Sequence, residues 1–135
     1  MPLINWDQSC SVGVKEIDTQ HRAIFEIINR LYALMQANKD SESLSSIVQE
    51  LMDYARYHFS TEEKYFDQFH YPDKETHIKA HHTYKEKVSQ FVKDYANSKT
   101  VLSFDIIDFL EDWWLDHIKG LDKQYTDCFH NHGLY

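Results

Sequence analysis

Nine histidines stand at positions 21, 58, 70, 77, 81, 82, 117, 130 and 132 of this 135-residue chain. Several of them have an acid or another histidine at helical spacing. His58 and Glu62 are four apart, as are His77 and His81, and side chains three or four apart share one face of an α-helix. Imidazole and carboxylate presented together suit iron, zinc, copper or nickel. His117 is less regular. In "WWLDHIKGLD" its neighbours at three and four are Trp113, Trp114, Gly120 and Leu121, and the next acid, Asp122, is five away. An offset of five swings a side chain about 140° round a helix at about 100° per residue. Asp122 can therefore join His117 only if the helix widens into a π-type turn or ends near Gly120. Such a distortion is expected here, because these irregularities gather at functional sites.

The elements that must position these groups read as helices. After an irregular arm, "MPLINWDQSCSVGVKEID", a helical pattern begins near Asp18, a suitable N-cap. Ile17, His21, Ile24, Ile28, Leu31 and Met35 form its apolar stripe. "ANKDSES" interrupts it, with Asp40, Ser41 and Ser43 as candidate caps for a second stripe of Ile47, Leu51, Tyr54, His58, Glu62 and Tyr65. That stripe ends around "FHYPD", where Pro72 suits the first position of the next helix. The third stripe is His77, His81, Tyr84, Val88, Phe91 and Tyr95; "NSKT" follows, and the fourth is Leu102, Ile106, Leu110, Trp113 and His117. A further short helical segment is expected from about Lys123 to Phe129. With three glycines, two prolines and no alternating strand pattern, the fold class is all-α. Short breaks between long helices favour antiparallel neighbours, so residues 1–135 are expected to form a single up-down-up-down four-helix bundle with an N-terminal irregular arm and a short C-terminal helical segment.

The stripes contain a contradiction. His21, His58, Glu62, His77, His81 and His117 occupy core positions, where an unpaired titratable group costs several kcal/mol. A single core histidine is usually a satisfied hydrogen-bonding residue. These six, however, lie near the start of helix one, late in helix two, at the opening of helix three and at the close of helix four, so an antiparallel bundle gathers them at one end. A shared metal resolves the conflict. No H-E-x-x-H is present, no thiol lies on the stripes, and the E-x-x-H motif of carboxylate di-metal bundles is absent. His70, His82, His130 and His132 match no such position, and Glu63 and Asp116, beside candidate ligands, read as surface charge.

Composition narrows the function further. A formal net charge of −8 disfavours nucleic acid and anionic membrane as partners. No apolar run approaches the roughly 20 residues of a membrane span, and no secretory signal opens the chain, so a cytoplasmic location is expected. Cys10 and Cys128 form no C-x-x-C pair, and spacing leaves their redox state open.

The pattern His21, His58-x-x-x-Glu62, His77-x-x-x-His81, His117-x-x-x-x-Asp122 resembles the hemerythrin family, and in particular its single-domain bacterial members. "NWDQSCSVGVKEIDTQH" is similar to their N-terminal loop, and the resemblance covers nearly the whole chain. It implies a non-haem di-iron centre, with His77, His81 and His117 on one iron and His21 and His58 on the other. Glu62 and Asp122 would bridge the irons beside an oxo or hydroxo bridge. At about six positions per iron, that set leaves one position open, on the two-histidine iron. There the resemblance implies end-on, reversible binding of dioxygen, which takes two electrons as both irons pass from ferrous to ferric. Phe25, Ile28 and Trp113 are expected to keep the pocket dry, Trp113 as part of its roof. These features favour an oxygen carrier or store over an enzyme, acting as a monomer whose recipient is not specified. The alternatives are oxygen or redox sensing through a partner, di-iron peroxide or nitric oxide chemistry, and iron storage.

Overall fold

The computed structural model describes residues 3–38, 41–96 and 104–135. Five α-helices occur among them: α1, Lys15–Gln36; α2, Ser41–Gln68; α3, Lys74–Ala96; α4, Phe104–His117; and α5, Thr126–Asn131. A π-type turn, Ile118–Asp122, continues directly from α4. The four long helices form the bundle, each antiparallel to its sequence neighbours. Arg30, late in α1, pairs with Glu50, early in α2, at 2.8 Å. His21, early in α1, meets His58, late in α2, at 3.1 Å. Tyr32 of α1 packs edge-on against Phe104 at the start of α4, while His21 faces Trp114 near the end of α4. No helix among the described residues is long and apolar enough to cross a membrane.

The buried stripe runs through Ile17, Ile24, Ile28 and Leu31 of α1, Leu51, Phe59 and Phe66 of α2, Tyr84 and Val88 of α3, and Ile106, Leu110 and Trp114 of α4. Six expected stripe members, Ile47, Tyr54, Tyr65, Phe91, Tyr95 and Trp113, are only half-buried; beside four of them Val48, Ala55, Phe66 and Trp114 take the core positions. A stripe facing a bundle core is wide enough to admit either of two adjacent residues at each turn, so periodicity alone leaves that choice open. Leu102, Asp40 and the "NSKT" loop lie outside the described residues.

Helix ends also depart from simple reading. α1 starts after Val14 with no side-chain cap. Asp18 lies a turn inside, where its carboxylate accepts from the Val12 N–H at 2.9 Å and the Ser11 hydroxyl at 2.6 Å. It therefore ties the arm to the helix instead of capping it. Ser43 is inside α2, which begins at Ser41. Pro72 occupies the turn before α3 rather than its first position, and the Asp73 carbonyl takes the His77 N–H. α2 ends with His70 in the left-handed region, φ 51°. There Tyr71 N–H reaches the Phe66 carbonyl at 2.9 Å and His70 N–H the Asp67 carbonyl, the paired bonds of a Schellman cap.

The arm is held against α1 and α5. Asn29 bonds both the N–H and the carbonyl of Ile4, at 2.9 and 2.8 Å. Thr126 donates its hydroxyl to the Val12 carbonyl at 2.6 Å, and His130 Nε2 lies 2.7 Å from the Gly13 carbonyl. Gly13 has φ +74°, and a Cβ there would press on His130 and Thr126 at 3.1 Å. This close approach requires glycine. α5 is thereby anchored over one end of the bundle.

Candidate metal centre

That end contains all seven side chains singled out by spacing. His21, His58, Glu62, His77, His81, His117 and Asp122 are buried, none more than 5% exposed. Asp122 reaches the cluster because the chain widens at Ile118–Asp122. Bonding from i to i+5 in a π-type turn returns a residue five positions on to the face it left. Gly120 contributes no special backbone conformation to this. It is exposed, its φ is not positive, and nothing lies within 4 Å of a Cβ built on it. The widened turn therefore does not depend on a glycine at this position and has room for a side chain.

Asp122 spans the cluster. Its Oδ1 is 2.8 Å from His77 Nε2 and 3.1 Å from His117 Nε2, while its Oδ2 is 3.0 Å from His21 Nε2. Glu62 Oε1 faces both halves, 3.2 Å from His81 Nε2 and 3.4 Å from His58 Nε2. Despite these distances, Glu62 Oε1, both Asp122 oxygens and the Nε2 atoms of His77, His81 and His117 make no hydrogen bond. The donor atoms converge without pointing at one another. Buried, unspent nitrogen and carboxylate donors are costly unless a cation takes them up. Two groupings could each hold a metal ion: Glu62, His77, His81 and His117, and His21, His58, Glu62 and Asp122, with donor atoms within 4.8 Å of one another in each.

The far sides of these candidate ligands are anchored by residues that sequence reading missed. His58 Nδ1 lies 2.7 Å from Gln20 Oε1, and Gln20 Nε2 donates to the Thr61 hydroxyl at 3.3 Å. Gln20 therefore presents its oxygen to the ring, so His58 carries its proton on Nδ1 and turns the Nε2 lone pair into the cluster. Glu63 does the same for His81, its Oε2 2.8 Å from Nδ1, and is not idle surface charge. Tyr125 donates its hydroxyl to Glu62 Oε2 at 2.6 Å. The only sequence signals were adjacency (Gln20 to His21, Glu63 to Glu62) and the three-residue step from Asp122 to Tyr125. None of these distinguishes such residues from ordinary neighbours.

Burial and charge divide the titrating groups. Burial drives His58 down to about 3, opposed in part by Glu62. Burial also acts against protonated His81, but the carboxylates of Glu62 and Glu63 beside it outweigh that and bring the ring up to about 9. Burial raises Asp122, yet His117, His21 and His77 together hold it well below the usual carboxylate range. Burial, with Glu62 and Asp122 nearby, lifts Tyr125 well above 10, so its phenol stays neutral and donates.

The surrounding walls are aromatic. Trp114, fully buried, stands 5.9 Å from the His58 ring and 6.5 Å from that of His21, and donates its Nε1 hydrogen to the Tyr84 hydroxyl at 3.1 Å. Trp113, expected to roof the pocket, instead stacks on His117, at 4.3 Å and 13°. Phe59 stacks on His81 at 3.9 Å. The large wall of the two-histidine half is therefore Trp114.

A family model described as the hemerythrin HHE cation binding domain matches residues 12–128. A hemerythrin-like protein of Naegleria gruberi is 36% identical over 121 residues, covering 90% of this chain and 89% of that protein. A bacteriohemerythrin of Clostridium acetobutylicum is 33% identical, covering 90% of this chain and 98% of its own length. Among solved structures, wild-type hemerythrin superposes with a TM-score of 0.87 at 26% identity, covering 93% of this chain and 97% of its own. A leucine-to-phenylalanine variant superposes at 0.88. With a family model spanning most of its length and close helical relatives in the same arrangement, the chain belongs to the hemerythrin family.

Proposed function

We propose that this protein binds dioxygen reversibly, as a carrier or store, at two iron ions. His77, His81 and His117 would hold one iron and His21 and His58 the other, with Glu62 and Asp122 shared between them. The observation that carries this reading is the inequality of the halves: three imidazoles on one side, two on the other, with Asp122 offering one oxygen to each. At about six positions per iron, two imidazoles would leave one more position open than three, so the two-histidine side has the more room for a ligand. The family binds iron and oxygen. Bound here, two ferrous ions supply the two electrons that dioxygen borrows and returns.

The remaining work falls to the chain itself. Gln20 and Glu63 hold the Nδ1 sides of His58 and His81, so both rings turn Nε2 inward. Tyr125 restrains Glu62 through its outer oxygen. Trp114 fills the space beside His58 and His21 with apolar surface and keeps water off that side. Carriage is favoured over catalysis because the nearby hydroxyl, that of Tyr125, is committed to Glu62 and is a weak acid. Proton delivery, which would drive dioxygen on to reduced products, is thereby disfavoured.

The test is to load the protein with iron, reduce it, admit oxygen and then remove it, following the optical spectrum and counting iron. Two irons per chain and a band that comes and goes with oxygen are expected. One metal per chain, zinc in place of iron, or irreversible conversion to the ferric form on first exposure would refute the proposal.

A further inference from the structure

Every imidazole of the centre touches an aromatic ring, and most of those rings are sealed inside. Phe59 lies on His81, Phe66 and Tyr125 on His77, and Trp114 faces His58 and His21; all four are fully buried. Trp113 differs. Its indole lies flat on His117 at 4.3 Å and 13°, yet the residue is only half-buried and keeps an edge in solvent. It also packs on Tyr84 at 4.4 Å, which fixes its plane. The seven candidate ligands are themselves almost fully buried, so no reductant can touch them directly.

Resting on the di-iron reading above, we propose that Trp113 is the electron entry point of the centre. In this role it returns an oxidised, ferric centre to the ferrous state by passing electrons from a small one-electron donor protein. In each transfer the donor loses one electron and one ferric ion gains it. The indole lends its orbitals, is not itself consumed, and no bond of the protein forms or breaks. Two such transfers restore both ions. The path is short: solvent edge, indole, imidazole. It enters on the three-histidine half, whereas the position left for dioxygen is on the two-histidine half behind Trp114. Electrons and gas therefore approach from different sides. Asp112 and Asp116 are exposed on α4 next to Trp113 and one turn beyond it, so the donor that fits this face is positively charged.

Hexaammineruthenium(II), a cationic outer-sphere reductant, is the probe. Mixed without oxygen with iron-loaded, ferric protein, it should reduce W113L about tenfold more slowly than the parent, equivalent to about 1.4 kcal/mol on the barrier. W113F, which keeps a ring on His117, should recover most of the rate. Iron is counted in both variants, and the rates are compared per bound iron. Equal reduction rates for parent and W113L would overturn the proposal. Absence of bound iron in the parent would instead overturn the di-iron reading. A second measurement needs no iron. In a W6F background, flash photo-oxidation with a dissolved ruthenium polypyridyl should place the tryptophan radical on Trp113, and W113F should abolish its transient absorption. Persistence of that signal in W113F would count against Trp113 as the accessible redox ring.

Discussion

Replacing Tyr125 by phenylalanine removes one oxygen atom from the centre and leaves the ring contacts in place. The ring stacks on Phe129 at 4.2 Å and 11° and lies 5.7 Å from that of His77; phenylalanine keeps both. What is lost is a hydrogen bond to a buried carboxylate, at 2.6 Å. Bonds to charged acceptors contribute about 1.5–3 kcal/mol, and a buried acceptor left unsatisfied costs a similar amount. At about 2.1 cal/mol/K per residue, a 135-residue chain unfolds with an entropy near 0.28 kcal/mol/K. A loss of about 2 kcal/mol therefore lowers Tm by about 7 °C. The assay is thermal unfolding of iron-loaded parent and Y125F, with iron counted before each scan so that metal loss cannot mimic the effect. A Y125F protein that keeps its iron and melts within about 2 °C of the parent would show that this bond does not stabilise Glu62.

Other expectations follow from the same geometry. D122A removes the two oxygens that face both halves and should bring the iron content of the loaded protein below the proposed two per chain; full iron content with an unaltered spectrum would contradict the bridging role. W114A should destabilise by about 3–5 kcal/mol, as large-to-small core changes do. It should also hasten oxidation to the ferric form in air by admitting water beside His58, and an unchanged oxidation rate would show that Trp114 does not keep the pocket dry. H70G should stabilise by about 0.5–1 kcal/mol. A left-handed L-residue costs about 1–2 kcal/mol, of which the greater freedom of unfolded glycine returns roughly 0.5–1. A lower midpoint in urea for H70G would mean that His70 makes contacts worth more than its strain.

What could be read from sequence was whatever depends on periodicity within one helix. The pairs His58–Glu62 and His77–His81 declared themselves by spacing, and antiparallel order then placed His21 and His117 beside them. The five-residue step to Asp122 signalled the widened turn because no regular helix satisfies it. Contacts between elements were less legible. Asp18 looked like a cap, since aspartate before an apolar stripe usually is one; its true partners, Ser11 and Val12, lie in an arm with no periodicity. Trp113 and Trp114 are adjacent, and helical phase alone could not say which would enter the core. Gln20, Glu63 and Tyr125 act through hydrogen bonds whose geometry has no sequence pattern.

The widened turn has a consequence for length as well as shape. A π-type turn is a helix carrying one residue beyond what its hydrogen-bonding frame needs, and the residues after it keep phase with those before. Between His117 and Asp122 the surplus falls in a segment that includes Gly120, which is exposed and has open space where a side chain would stand. Deleting Gly120 should let the segment close into ordinary α-helix, with the aspartate four residues after His117 and Tyr125 and Phe129 still turned inward; loss of iron from that deletion would show otherwise. The centre is therefore defined by facing direction rather than by residue count. A relative one residue shorter here would present the same donors under a different spacing, and a search by fixed intervals would pass it over.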